Sequence, residues 1–289
     1  MFSSKFVDIS IFIRNSIKVN SKFISTMNNT IHNHYENVLD AYKSEIFFTK
    51  TKEYKKEIQG YIIDIMNLER YTDDNSNDTR NEKYQIIDLG GGMGDFSLDL
   101  KKQLHSKYSF LCVDPSTELT NEAKRNGIDS VVANAMEFSL LDYKYDFIFL
   151  KEMIHHIPVD TLTTVFQNIN RQLNPNGSLL IVTRPVDTSF PFFNKVKEIW
   201  KTTQPPSSVF TSSLLESNYN IAIHEREYKV SMSKLHWYDF IRNKSFSEFS
   251  LCSDSELEDG IRELEERYKD IDTLNFVDKL IFIIAYRKD

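Results

Sequence analysis

Ile86-Ile-Asp-Leu-Gly-Gly-Gly-Met-Gly-Asp-Phe-Ser97 joins an apolar run to a segment of helical character, and its reading decides the fold. Glycines in this position let a backbone turn sharply after a strand and lie against a ligand with no side chain between them. What is missing narrows the ligand. A dinucleotide fingerprint needs G-x-G-x-x-G, but counted from Gly90 its last position is Asp95, a carboxylate of the wrong sign for pyrophosphate at a helix N-terminus. A phosphate-cradling P-loop needs Gly-Lys-Ser/Thr, and none follows. What fits is G-x-G-x-G over Gly90, Gly92 and Gly94, with Asp88 two residues ahead, an acid suited to a cationic amino-acid head group. Twenty residues after Gly94, Asp114 closes the next apolar run, where an acid accepts both hydroxyls of a ribose in nucleotide sites of this topology.

Outward from the loop, short β-rich runs recur at residues 84–89, 110–113, 130–133, 145–150 and 178–183, each separated by enough chain for a crossover helix. Before the last run, Leu162, Val165, Phe166, Ile169 and Leu173 mark one helical face, ended by the turn residues of 174–177. Strands alternating with helices predict a parallel sheet covered on both faces. Two further strands are expected near 221–230 and 276–287. Between them Ser253 and Glu256 form a capping box that opens a helix with Leu257, Ile261, Leu264 and Tyr268 on one face. Upstream, Tyr54, Ile58, Tyr61, Ile62, Ile65 and Leu68 make the stripe of an amphipathic helix over 50–68, and a shorter helix is expected at 33–48. Residues 71–82 are polar throughout and read as a surface loop or linker.

The 289 residues, 40% hydrophobic and 27% charged, describe a folded globular chain, read here as one domain with insertions. The longest apolar or aromatic run near the C-terminus, 280–286, is far too short to cross a bilayer, which takes roughly 20 residues. A net charge of −7 with no evident basic patch argues against binding nucleic acid through its phosphates. Of two cysteines, Cys112 sits in an apolar run and reads as a buried thiol, which suits a reducing compartment such as the cytoplasm. Residues 1–26 carry Lys5, Arg14, Lys18 and Lys22 against Asp8 and resemble a mitochondrial transit peptide. A structured extension, or a shorter product starting at Met27, are the competing readings.

Residues 86–97, Leu111-Cys-Val-Asp-Pro-Ser116, Asn134-Ala-Met-Glu137, 145–157 and 173–181 resemble, in order and spacing, the successive motifs of class I S-adenosylmethionine (SAM)-dependent methyltransferases. The small-molecule enzymes of the type 11 and ubiquinone-biosynthesis sort are the nearest in pattern. The resemblance implies a Rossmann-like α/β fold: a seven-stranded, mostly parallel sheet of order 3-2-1-4-5-7-6, helices on both faces, and a helical cap from 27–83 and from insertions near 190–217 and 231–273. It also implies SAM as cofactor and S-adenosylhomocysteine (SAH) as product. Asp88 and the backbone of Gly90, Gly91, Gly92 and Gly94 would hold the methionine portion, and Asp114, followed by Pro115, the ribose. Asn134, Ala135 and Met136 would border the adenine, with Asn134 standing where the family often has an acid. Lys151 would lie near the methionine, mainly through its backbone.

Paired histidines recur in the family at His155 and His156 whatever the substrate, so packing competes with catalysis for both. His155 is the preferred general base for a hydroxyl or amine nucleophile, with Glu152 as runner-up. Metal binding by Glu152, His155 and His156 is weakly supported, because no distant fourth ligand is evident. The element expected after strand four in methyltransferases of adenine or glutamine amino groups is replaced by Lys151-Glu-Met-Ile154. Substrate contacts are expected from Tyr35, Tyr42, Trp200, Trp237 and Arg242, the arginine for an acidic substrate, although core packing and a surface ion pair compete for them. The expected activity is methyl transfer to O, N or C of a small molecule by a monomer or homodimer. A catalytically silent SAM-binding scaffold or assembly factor, and a protein or RNA methyltransferase, are the rivals.

Overall fold

The computed structural model describes residues 48–71, 83–104 and 106–288. The basic leader, the helix expected at 33–48, Tyr35, Tyr42 and nearly all of the polar linker lie outside them. Seven strands form one sheet: β1 (Tyr84–Leu89), β2 (Tyr108–Asp114), β3 (Asp129–Val132), β4 (Tyr145–Lys151), β5 (Leu173–Thr183), β6 (Tyr219–Ser233) and β7 (Thr273–Arg287). Their order is β3-β2-β1-β4-β5-β7-β6, parallel from β3 to β5, with β7 antiparallel to both β5 and β6. Fold class and strand order are those expected from the motifs.

The helices follow from the same alternation. They are α1 (Lys52–Ile65), α2 (Asp95–Gln103), α3 (Thr117–Arg125), α4 (Ala135–Ser139), α5 (Leu162–Gln172), α6 (Asn194–Thr203), α7 (Ser207–Glu216), α8 (Lys234–Arg242) and α9 (Asp254–Arg267). Successive side chains of a strand point to opposite faces, so each central strand feeds two cores. Phe147, Phe149, Leu180, Val182, Phe282 and Ile284 pack on the side of α1, α2, α6, α8 and α9. Ile148, Leu150, Leu179, Ile181 and Ile283 pack on the side of α4, α5 and α7. This double burial explains why β4 is apolar without a break from Phe147 to Leu150, while β6, at the edge, alternates between covered and exposed positions.

The capping box expected at Ser253 is present: its hydroxyl accepts from the Glu256 amide, and Glu256 accepts from the Ser253 amide. Differences occur where a turn was expected. Residues 174–177 do not leave the sheet; β5 begins at Leu173 and passes a register shift against β4, with Asn176 at φ 64° absorbing the irregularity. The late insertion begins after Ser233, because β6 and β7 pair over their full 15-residue lengths. No helix among the described residues is long and apolar enough to cross a membrane.

Gly260 shows how closely the late insertion packs. A Cβ there would overlap the Phe193 ring, although the site is an ordinary helical position. Gly260→Ala is therefore expected to destabilise the fold by about 1–3 kcal/mol through overpacking, despite alanine's better helix propensity. A chemical-denaturation midpoint that stays put or rises would show that the ring yields.

Candidate functional site

The carboxyl ends of β1, β2, β3 and β4 open onto one cavity of about 600 Å³, the place where ligands bind in open parallel sheets. The glycine loop forms its floor. Gly90 and Gly91 donate their amides to the Val113 carbonyl at 2.7 and 3.3 Å, which turns the chain over the end of β2. Gly90 has φ 80°, and a Cβ on it would lie 2.7 Å from Met153 Cγ. Gly92 differs: at φ 56° its missing Cβ would meet only Leu119 Cδ1 at 4.0 Å, so its backbone lies open to the cavity as a surface that a side chain would otherwise cover. Gly94 caps α2 from outside the cavity lining and packs near Ala123.

Asp88 and Asp114 stand at the ends of β1 and β2. Asp114 is fixed by the Ser116 amide at 2.9 Å and the Gly92 amide at 3.0 Å, one to each carboxylate oxygen. Asp88 is 3% exposed and accepts the Ser97 hydroxyl at 2.6 Å; burial, only partly opposed by that bond, pushes its carboxyl up to about 7. Asp95, at the start of α2, is held by Lys55 at 2.8 Å and Lys50 at 3.3 Å. Burial works upward on Asp95, but the two lysines outweigh it and keep the carboxyl well below the usual range. These pairs tie α1 to the glycine loop.

Pro115, Asn134, Ala135 and Met136 line the same cavity. Asn134 is also the N-cap of α4: its side-chain oxygen accepts the Glu137 amide at 3.0 Å, so one of that oxygen's lone pairs is already used. Lys151, Glu152, His155 and Trp200 line it too. Trp237 and Arg242 do not. Trp237 is fully buried, stacked on Phe240 with its indole N–H on the Pro191 carbonyl, and Arg242 is paired on the surface with Glu258 at 2.8 Å. Their expected substrate contacts give way to core packing and a surface ion pair.

The charged groups beyond Lys151 were the least expected. Arg184, just after β5, is bidentate to Asp278 at 2.7 and 2.9 Å, donates to Glu152 at 2.6 Å and to the Tyr54 hydroxyl at 3.2 Å, and that hydroxyl donates to Asp278 at 2.9 Å. Strands β4, β5 and β7 and helix α1 thus meet at one buried guanidinium. Glu152 takes φ 56°, a left-handed conformation that costs a non-glycine residue about 1–3 kcal/mol. Lys151 approaches its other oxygen at 2.7 Å. Burial pushes the Glu152 carboxyl up, but Arg184 and then Lys151 prevail and hold it well below the usual range, which makes Glu152 a poor proton acceptor.

His155 has its ring nitrogen Nδ1 buried without a protein partner, and its ring lies 4.0 Å from that of His156. Burial, only partly offset by Glu152, lowers it to about 4, so the imidazole is neutral at physiological pH. Among the described residues no set of three His, Cys, Asp or Glu side chains is placed to hold a metal ion. Both cysteines are free and buried, as read for Cys112, whose thiol is pushed up by burial beside Asp88.

Residues 86–177 match the family described as a methyltransferase domain. No curated protein sequence matches the chain. Among solved structures, the fold is similar to that of the [4+2]-cyclase SpnF (TM-score 0.55, 11% identity, covering 96% of this chain and 100% of that one). It is also similar to a Galdieria sulphuraria protein assigned as a sarcosine dimethylglycine methyltransferase (0.53, 14%, 90% and 98%). A third is the plantazolicin methyltransferase BpumL, solved in complex with a pentazolic desmethylPZN analog and SAH (0.52, 13%, 93% and 100%). At such identities the likeness is one of fold, and that fold carries both methyl transfer and cyclisation.

The Arg184 cluster yields a test. Arg184→Ala leaves the buried Asp278 without its cation and Glu152 with Lys151 alone, and is expected to cost about 3–5 kcal/mol in urea denaturation. Arg184→Lys, which lacks the planar fork, should recover only part of the loss. Full stability in the alanine variant would mean that the cluster is solvated in solution.

Proposed function

From a chain of class I SAM-dependent methyltransferase fold whose residues 86–177 match a methyltransferase domain, we propose an enzyme that transfers a methyl group from SAM to O, N or C of a small-molecule acceptor. The observation that carries this reading is one cavity with an open glycine backbone and two carboxyls at one end, and an apolar and charged wall at the other. The residues present suit SAM. Gly92 offers backbone where a Cβ would stand in the ligand's way, Asp114 is a carboxylate on the cavity lining at the end of β2 and so suited to accept the two ribose hydroxyls, and Asp88 is a buried acid suited to an ammonium. Ala135 and Met136 would border the adenine ring.

Bound there, SAM supplies a methyl group carried on a sulfonium. The chain's own work is then to hold acceptor and methyl in line and to exclude water, which can lower the barrier by about 7–11 kcal/mol when the geometry is right. Lys151, seated over the Phe96 ring at 5.0 Å and paired with Glu152, fixes the wall between the two halves of the cavity. His155, neutral and with Nδ1 unbonded, is the group left to accept a hydrogen bond from the acceptor, although its lowered basicity makes it a weak general base. Glu152 serves to position Arg184 and Lys151.

Two outcomes follow. Asp114→Ala removes two hydrogen bonds to a charged acceptor, each worth about 1.5–3 kcal/mol, and should weaken SAH binding on the order of a hundredfold or more in isothermal titration. Unchanged affinity would refute the ribose assignment. Asp88 is largely protonated at pH 6 in the ligand-free protein, and an arriving ammonium favours its ionised form. SAH binding should therefore release close to one proton at pH 6 and almost none at pH 9, so that affinity rises with pH until it levels above 7. Titrations in buffers of different ionisation enthalpy count that proton; no release at pH 6 would place the head group elsewhere.

A further inference from the structure

Past Arg184 the cavity ends on a wall formed by the C-terminus of α6 and the turn that follows α8. Gln204, Ser245 and Glu248 line it, exposed by only 5%, 5% and 3%. Gln204 Oε1 and Ser245 Oγ have no protein partner. The Glu248 carboxyl receives long bonds from Thr203 Oγ1 at 3.4 Å and Ser247 Oγ at 3.3 Å, together with the Gln204 side chain. Only the amide NH₂ donates to a carboxylate, so this contact fixes the orientation of Gln204 and leaves its carbonyl oxygen over.

The wall therefore presents a carbonyl oxygen, a hydroxyl and a carboxyl, a set dominated by acceptors. A buried acceptor left unsatisfied costs about 1–3 kcal/mol, which a ligand with several N–H donors on one atom would recover at once. The nearby charges point the same way. Arg184 and Lys151 are matched by Glu152 and Asp278, and although Arg184 acts on Glu248 through space, Glu248 forms no ion pair among the described residues. Burial accordingly pushes Glu248 up in the ligand-free protein, while an incoming cation would restore the carboxylate. A carboxylate or phosphate ligand would face acceptors and an acid, and an alcohol brings one donor for three sites. Trp200 and Phe246, also on the lining, supply apolar surface beside the polar set.

We propose that Glu248, Gln204 and Ser245 form an ammonium-recognising subsite, so that the methyl acceptor is an amine-bearing small molecule with an apolar body. This rests on the methyl-transfer reading of the same cavity, and it concerns recognition: the amine need not be the atom that is methylated.

The test is a matched panel titrated calorimetrically into the full chain, with and without saturating SAH: phenethylamine, 2-phenylethanol and phenylacetate. Phenethylamine is expected to bind at least about tenfold more tightly than either other probe, and Glu248→Gln to reduce that preference about tenfold or more, as loss of a charge-assisted bond requires. Equal affinities, a preference for phenylacetate, or a preference intact in folded Glu248→Gln would overturn the proposal. If that variant fails to unfold cooperatively in a thermal melt, the wild-type panel and Ser245→Ala, expected to weaken phenethylamine severalfold, decide the matter. Failure of SAH to bind overturns the cofactor reading alone, because the SAH-free panel still scores the subsite. SAH binding without amine preference overturns the subsite alone.

Discussion

One guanidinium holds the two halves of the cavity in register. Arg184 is clamped by Asp278 from β7, by Glu152 at the end of β4 and by Tyr54 from α1, all within 2.6–3.2 Å. Buried charges are tolerated only when their partners are placed, and here each partner comes from a different element. The left-handed backbone of Glu152 is part of the same constraint, since it aims the carboxylate at Arg184 while Lys151 takes the other oxygen. Loosening this cluster would disturb the wall beside the glycine loop and the acceptor-rich end of the cavity together.

The parts of the site that were legible in the sequence are those whose constraints are local. A loop that needs left-handed backbone at Gly90, Gly92 and Gly94 must be written in glycine, and strands buried on both faces must be written as apolar runs, so motif and fold class were readable together. Asp114 was readable because it ends a strand at a fixed distance from the loop. The Arg184 cluster was not, because its bonds span 94 residues to Asp278 and 130 to Tyr54. A hint existed: Asp278 is an acid placed within a strand that is otherwise largely apolar, and it is fully buried. A buried acid of that kind implies a cation somewhere in the fold without saying which.

Aromatic residues were the opposite case. Trp200 and Trp237 look alike in sequence, yet one lines the cavity and the other is stacked against Phe240 in the core. Composition cannot separate them, because the same large apolar surface suits both places. Gln204, Ser245 and Glu248 carried no signal at all, being ordinary polar residues whose unusual feature is burial. Net charge was similarly uninformative about the cavity, where acids and bases are closely matched and the sum of −7 is carried by the whole chain.

In the proposed complex the open backbone at Gly92 and the carboxylate of Asp114 cradle a nucleoside whose sulfur faces the Lys151 wall. A crystal structure of the protein grown with SAH tests that arrangement most directly. Density is expected along the glycine loop with both ribose hydroxyls on Asp114 and the amino group toward Asp88. Density elsewhere in the molecule, or an empty loop at saturating SAH, would contradict it.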